Sequence, residues 1–181
     1  PDSFYVGLRD LEQWAKQTEQ PMDRAILHSL IAEFYANYAA DNQWQLRQRT
    51  EIVGETPSAD IREWTANMFV EKVRTNVKEA LADSLLLLKT SSRNYIPFVE
   101  LGETSEYYHH DMYHLLVSRA VRALNQIERL ERGSFNGITV SPVKQDIINI
   151  YERMSDAYET AGLKEGYVLT MLQYLEWERG N

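Results

Sequence analysis

The 181 residues carry 27 acidic against 19 basic side chains, a formal charge of −8, and 44% of them are apolar. That apolar content excludes wholesale disorder and provides for a sizeable core, while the negative field disfavours general nucleic-acid binding. Cysteine is absent, which removes disulfides, thiolate metal sites and cysteine nucleophiles together and leaves the redox compartment open.

Apolar side chains at Phe4, Leu8, Leu11, Trp14 and Ala15 fit one helix face over residues 4–17, with Asp2 or Ser3 as its cap. Pro21 suits the first turn of a second helix, whose broad stripe is Ile26, Leu27, Leu30, Ile31, Phe34, Tyr35 and Tyr38. Asp41-Asn42 ends it, Trp44–Arg49 reads as a short third helix, and Glu51–Ala59, with Gly54 and Pro57, reads as a loop.

Asp60 or Ser58 then caps the longest predicted helix, running to about Leu88. Its apolar face changes from Ile61, Trp64 and Met68 to Val73, Val77, Ala80, Leu81 and Leu88. With no proline or glycine inside it, contact with two neighbours is the expected reason rather than a bend.

Tyr95–Val99 predicts an extended connector bracketed by Pro97 and Gly102. Glu103-Thr104-Ser105-Glu106 reads as the opening of a helix that runs to about Glu131, with Leu116, Ala120, Ala123, Leu124 and Ile127 inward. Arg132–Ser141 is a predicted loop. Pro142 starts a helix that buries Ile147, Ile150, Tyr151, Met154 and Tyr158, Gly162 stops it, and Glu165–Arg179 forms the last. Tyr151, Met154, Ser155, Tyr158 and Gly162 fall at the spacings of a tetratricopeptide-type hairpin. Ile31–Arg49 carries a looser version. The expected fold is all-α: one helical domain over residues 1–181, built of about six to seven helices in irregular antiparallel hairpins with tetratricopeptide-like stacking.

His110-Asp111-Met112-Tyr113-His114 is the sharpest chemical candidate. On a continuous helix two imidazoles four apart share a face, the spacing by which metallopeptidase helices hold zinc, with Glu103, Glu106 or His109 available as further ligands. The plainer reading packs His109 in the core and sets His110 and His114 along one edge of the helix. Glu103 and Glu106 are explained by the helix dipole. No serine stands in a Gly-x-Ser-x-Gly elbow, and neither a Gly-rich phosphate loop nor a cofactor motif occurs. Of the four tryptophans, Trp14, Trp64 and Trp177 are expected in the core. Trp44, in a short helix with polar flanks, is the candidate for an exposed partner surface.

The strings ADIREWTANMFVEKV (Ala59–Val73), ADSLLLLKTSSRNYIPFVELGETSEYYHHDMYHLL (Ala82–Leu116) and YETAGLKEGYVLTMLQYLEWE (Tyr158–Glu178) resemble the helical N-terminal region of Bacteroidetes alpha-2-macroglobulin-like proteins. The resemblance implies a piece of a larger exported chain, at the periplasm or cell surface, preceding macroglobulin β-sandwich domains, with a lipid anchor upstream of Pro1 as one arrangement. Lack of cysteine means that no thioester nucleophile is carried over, and nothing resembles a bait region. The leading expectation is a non-catalytic interaction or scaffold module whose partners are neighbouring domains of the same chain or another protein. The alternatives are a metal-dependent hydrolase using His110 and His114, or a structural spacer. The longest aliphatic run, Leu85–Leu88, is four residues, against the ~20 of a membrane span, so no span is expected here.

Overall fold

The computed structural model describes residues 2–49, 58–95, 110–131 and 140–180, with side chains from Val6 onward. Among these residues there are eight α-helices: α1 (Asp2–Gln17), α2 (Pro21–Asp41), α3 (Gln43–Gln48), α4 (Ala66–Ala80), α5 (Ser84–Lys89), α6 (Met112–Glu128), α7 (Pro142–Thr160) and α8 (Lys164–Gly180). Ile61–Glu63 and Ser92–Tyr95 form 3₁₀ turns. The described residues hold no strand, only an isolated antiparallel bridge between Ser91 and Asp111. The fold is all-α, as the helical periodicity predicts, and none of its helices is long and apolar enough to cross a membrane, judged over the described residues.

The central element is α2, against which α1, α4 and α6 all pack. Its buried residues include Ala25, Ser29, Ala32, Ala36 and Ala39, a row of small side chains at helical spacing that lets neighbouring backbones come close. Phe69 and Val73 of α4 and Ala123, Leu124 and Ile127 of α6 are fully buried in the same apolar core. α6 in turn packs on α7, and α7 on α8. α1 is attached through buried Leu8 and Ala15, and its Glu12 accepts hydrogen bonds from Tyr35 Oη at 2.9 Å and Lys72 Nζ at 2.7 Å.

The predicted single helix from Asp60 to Leu88 is instead three pieces, which raises the helix count from six or seven to eight. Asp60 caps only the short 3₁₀ turn, accepting from the Arg62 N–H at 2.9 Å. The chain then turns extended at Trp64 and Thr65. Here Trp64 Nε1 donates to Ser58 O at 2.7 Å, and its ring stacks on Tyr35 with centroids 5.3 Å apart and planes within 8°. Phe69 closes the cluster, 5.2 Å from Trp64 and 5.4 Å from Tyr38. A second break follows Ala80, because Asp83 accepts from the Leu86 N–H at 3.0 Å and starts α5 afresh. The change of apolar face therefore reflects new helices, α4 starting after extended Thr65 without a side-chain cap and α5 capped by Asp83, and not one rod touching two neighbours.

Two further corrections concern the middle of the chain. Tyr95 belongs to a 3₁₀ turn rather than an extended connector, and the rest of that connector lies outside the described residues. The helix expected to open at Glu103–Glu106 is described from Met112 onward, with Asp111 as its N-cap.

The C-terminal hairpin follows its sequence closely. Ser141 Oγ accepts from the Lys144 N–H at 3.1 Å, and Pro142 occupies the first turn of α7. Past the C-cap Ala161, Gly162 adopts φ +71°. Leu163 N donates to Tyr158 O, and Gly162 N to Glu159 O, both at 2.9 Å. These two bonds are the Schellman pattern, and the left-handed residue within it favours glycine. α8 then lies close to α7 because Gly166 sits over the Tyr158 ring, where an added Cβ would come within 2.5 Å of Tyr158 Cδ1.

Candidate functional site

The His110–His114 pair does not share a helical face. His110 precedes the cap: its carbonyl accepts from the Ser92 N–H at 2.8 Å and from Ser92 Oγ at 3.1 Å. The Met112 N–H donates to Thr90 O at 2.8 Å, completing a short two-sided bridge. With His110 in this extended segment and His114 in the first turn of α6, the geometry that motivated a zinc pair is lost. His109, Glu103 and Glu106 lie outside the described residues. Among the described ones, no three His, Cys, Asp or Glu side chains form a group that could hold a metal ion.

Asp111 is the centre of this region. It is 4% exposed, its Oδ1 accepts from the His114 N–H at 2.7 Å, and its Oδ2 accepts from Tyr158 Oη at 2.7 Å. The first bond caps α6; the second ties that cap to α7. Burial, followed by the Asp111 charge and the hydrogen bond itself, drives the Tyr158 hydroxyl well above the ordinary tyrosine range. Tyr113, whose ring centroid is 6.3 Å from that of Tyr158, is pushed up to about 12 mainly by burial. Such a tyrosine keeps its proton at neutral pH and serves as a donor.

His114 is 2% exposed, not at the helix edge as its spacing suggested. Its Nε2 is 3.1 Å from Gln173 Nε2, a side-chain hydrogen bond between α6 and α8. His28 plays a comparable role elsewhere, donating from Nδ1 to Asn76 Oδ1 at 2.8 Å. Both rings bind helices together through amide side chains.

The open surface beside α3 is of another kind. Trp44 is 70% exposed, as its polar flanks predict. Its neighbour Gln43 lines a groove of about 470 Å³ between the end of α2, α3 and α6, whose other lining residues include Ser118, Arg122, Asn125, Gln126 and Arg129. The groove is framed by hydrogen bonds: Arg47 to the Arg129 carbonyl at 3.1 Å, Gln126 to Asn37 Oδ1 at 2.9 Å, and Trp177 Nε1 to Asn125 Oδ1 at 3.0 Å. Arginine and amide groups line it, and Arg122 Nη2 lies 3.7 Å from Glu33 Oε1 on α2. Six of its lining residues, Ser118, Val121, Arg122, Asn125, Gln126 and the C-cap Arg129, form one face of α6 at helical spacing, and Ala40 and Gln43 complete it from α2 and α3.

The other tryptophans divide. Trp64 is buried as expected, and Trp177 is half-buried, stacked on Tyr174 at 6.2 Å. Trp14 is 57% exposed, against expectation. α1 turns Leu8 and Ala15 inward, and Trp14, about 100° around the helix from Ala15, is left facing solvent.

A second groove, of about 670 Å³, separates α4 from α7 and includes Lys78, Tyr113 and Arg153 in its lining. Its floor is crossed by Arg74, which donates from Nε to Asp146 Oδ2 at 2.5 Å and from Nη1 to Glu71 Oε1 at 2.9 Å. The hydrogen bond to Asp146 raises the Arg74 pKa further, so this cation is committed within the fold.

Compared with protein-family models, curated proteins and solved structures, the chain matches none.

Proposed function

We propose that this chain is a non-catalytic helical interaction module that docks a neighbouring domain or a partner protein in the groove beside Trp44. The observation that carries the reading is an indole 70% exposed next in sequence to Gln43, which lines a groove rich in arginine and amide groups, in a chain of net charge −8. Exposed tryptophan and arginine are the side chains on which binding energy concentrates. A carboxylate-bearing segment with one apolar anchor suits this groove, the anchor on Trp44 and the acid towards Arg122 and Arg129.

The tetratricopeptide-like reading of the stacking is part of this proposal. Gly166 against Tyr158 and the Gly162 turn support it for α7–α8, since such hairpins use a small residue to admit a tyrosine. Likewise, the sequence resemblance to macroglobulin N-terminal regions supports an exported setting, at the periplasm or cell surface, with sandwich domains as neighbours. One helical domain as part of a larger chain is the corresponding organisation.

The hydrolase reading loses its motivation, because His110 lies outside α6 and His114 is buried against Gln173. A photo-crosslinking residue placed at Trp44 in the full-length protein tests the interaction reading, with one at exposed Glu159 as control. A discrete adduct from position 44 that Arg122→Glu abolishes is the expected result. Equal labelling from both positions, or none from either, would leave only the spacer. Addition of zinc to the metal-free chain is expected to leave its melting temperature unchanged.

A further inference from the structure

The groove between α4 and α7 holds a deeply set hydroxyl with nothing to bond. Tyr113 is 3% exposed, and what remains open of it lines this groove. Its hydroxyl makes no hydrogen bond among the described residues, although a phenol so far inside a fold ordinarily finds a partner. Two cations of the same lining are equally uncommitted. Lys78 lies about one turn beyond Arg74 on α4, and Arg153 about two turns beyond Asp146 on α7; neither carries an ion pair among the described residues. Arg153 stands close enough to Tyr113 for its charge to act on the hydroxyl more strongly than that of Asp111 does. From this convergence we infer that the groove binds a small monocarboxylic acid, its carboxylate on Tyr113 Oη and the Arg153 guanidinium, with Lys78 as a second cation.

The ligand class follows from the rest of the lining. Val77, Leu81 and Ile150 offer apolar surface for a short hydrocarbon body, and a volume of about 670 Å³ is that of a small-molecule site. Charge selects the head group. Arg74 is already held by Glu71 and Asp146, and Glu79 is a third carboxylate in the lining, so its cations and anions balance. A doubly charged phosphate meets more repulsion from these acids than a single carboxylate does. An amine is repelled by Lys78 and Arg153. The Tyr113 phenol keeps its proton at neutral pH and donates to one carboxylate oxygen while the guanidinium donates to the other.

Titration of the 181-residue chain with hexanoate, followed by NMR of the arginine Nε–Hε and tyrosine ring signals, tests the site. Expected are saturable shifts at Arg153 and Tyr113, with a dissociation constant on the order of 1 mM. Tyr113→Phe removes one oxygen atom and should weaken hexanoate about fivefold or more. The same variant should melt no lower than the parent at neutral pH, because the fold gives that hydroxyl no partner; a structural role would lower the melting temperature. Arg153→Gln should weaken binding about tenfold, Arg153→Lys less, and Arg9→Gln on α1 not at all. Arg153 and Arg9 are both exposed, and circular dichroism confirms that their variants fold. Hexylamine, hexanamide and inorganic phosphate should each bind about tenfold more weakly than hexanoate, or less. The absence of a saturable shift up to about 50 mM hexanoate, some 50 times the expected constant, would overturn the assignment. So would binding indifferent to Tyr113→Phe or to Arg153→Gln, or phosphate or hexylamine binding as tightly as the acid.

Discussion

Tyr158 donates a 2.7 Å hydrogen bond to Asp111 across 47 residues of chain, and the carboxylate that receives it is also the N-cap of α6. One buried side chain thus starts one helix and anchors another. Tyr158→Phe leaves Oδ2 of a buried carboxylate without this donor and should cost about 2 kcal/mol. Asp111→Ala loses the cap as well and should cost about 3 kcal/mol. Urea unfolding of the two single variants and the double should show non-additivity of at least ~0.5 kcal/mol; strict additivity would mean that the bond contributes nothing.

Gly166 and Gly7 offer a paired test of what a methyl group does. At Gly166 an added Cβ meets the Tyr158 ring at 2.5 Å, so Gly166→Ala should destabilise by about 1–3 kcal/mol despite the better helix propensity. At Gly7, exposed on α1, nothing lies within 4 Å, and Gly7→Ala should stabilise by up to ~1 kcal/mol. Thermal melts of the two variants should move in opposite directions.

The Gly162 turn makes a third case, set by backbone and not by space. Its φ of +71° is the left-handed conformation, and a Cβ there would meet nothing. Gly162→Ala should therefore cost about 1–2 kcal/mol, and Gly162→Asn less, since asparagine tolerates this region better. Equal losses for the two would point to a contact rather than to the dihedral.

Alkaline pH should unfold the protein through its buried tyrosines. Tyr113 and Tyr151 are held at about 12 by burial, and Tyr158 is raised further by burial and Asp111. A group whose pKa is higher folded than unfolded binds its proton more tightly in the native state. Its stabilising contribution is complete below the unfolded value of about 10 and is lost as pH rises through the folded value. Melting temperature should thus be flat in this respect below about pH 10 and fall between about 10 and 12. Phenolate absorbance should show these tyrosines ionising only with unfolding, and Tyr158→Phe should make the fall shallower.

Much of this architecture is legible in the sequence where two signals coincide. Pro142 after Ser141, and Gly162 after an apolar stripe, bound α7 within a residue or so, because cap chemistry and periodicity agree there. The region from Asp60 to Leu88 was less readable. Thr65 and Asp83 are cap residues in ordinary helix-compatible surroundings, and what ends the helix at Trp64 is its indole, committed to Ser58 O and the Tyr35 ring. That commitment is tertiary and leaves no local trace. The histidine pair failed for a related reason. Asp111 three residues before His114 is itself a cap signal, and reading it so would have placed His110 outside the helix. Trp44 could be read as exposed from its polar flanks, but the groove beside it could not, since its arginines lie on a helix some 80 residues further on.

The attachment of α1 has a kinetic consequence. Glu12 takes both Tyr35 Oη and Lys72 Nζ, so lifting this helix breaks a two-pronged latch in a single event rather than by fraying turn by turn. Amide hydrogens on this first helix should exchange with deuterium together, through one shared opening well below the cost of global unfolding, while those of α2 and α6 wait for the whole molecule to open. Ring protons of Tyr35 would register the same excursion, because its hydroxyl loses its acceptor when the latch lets go.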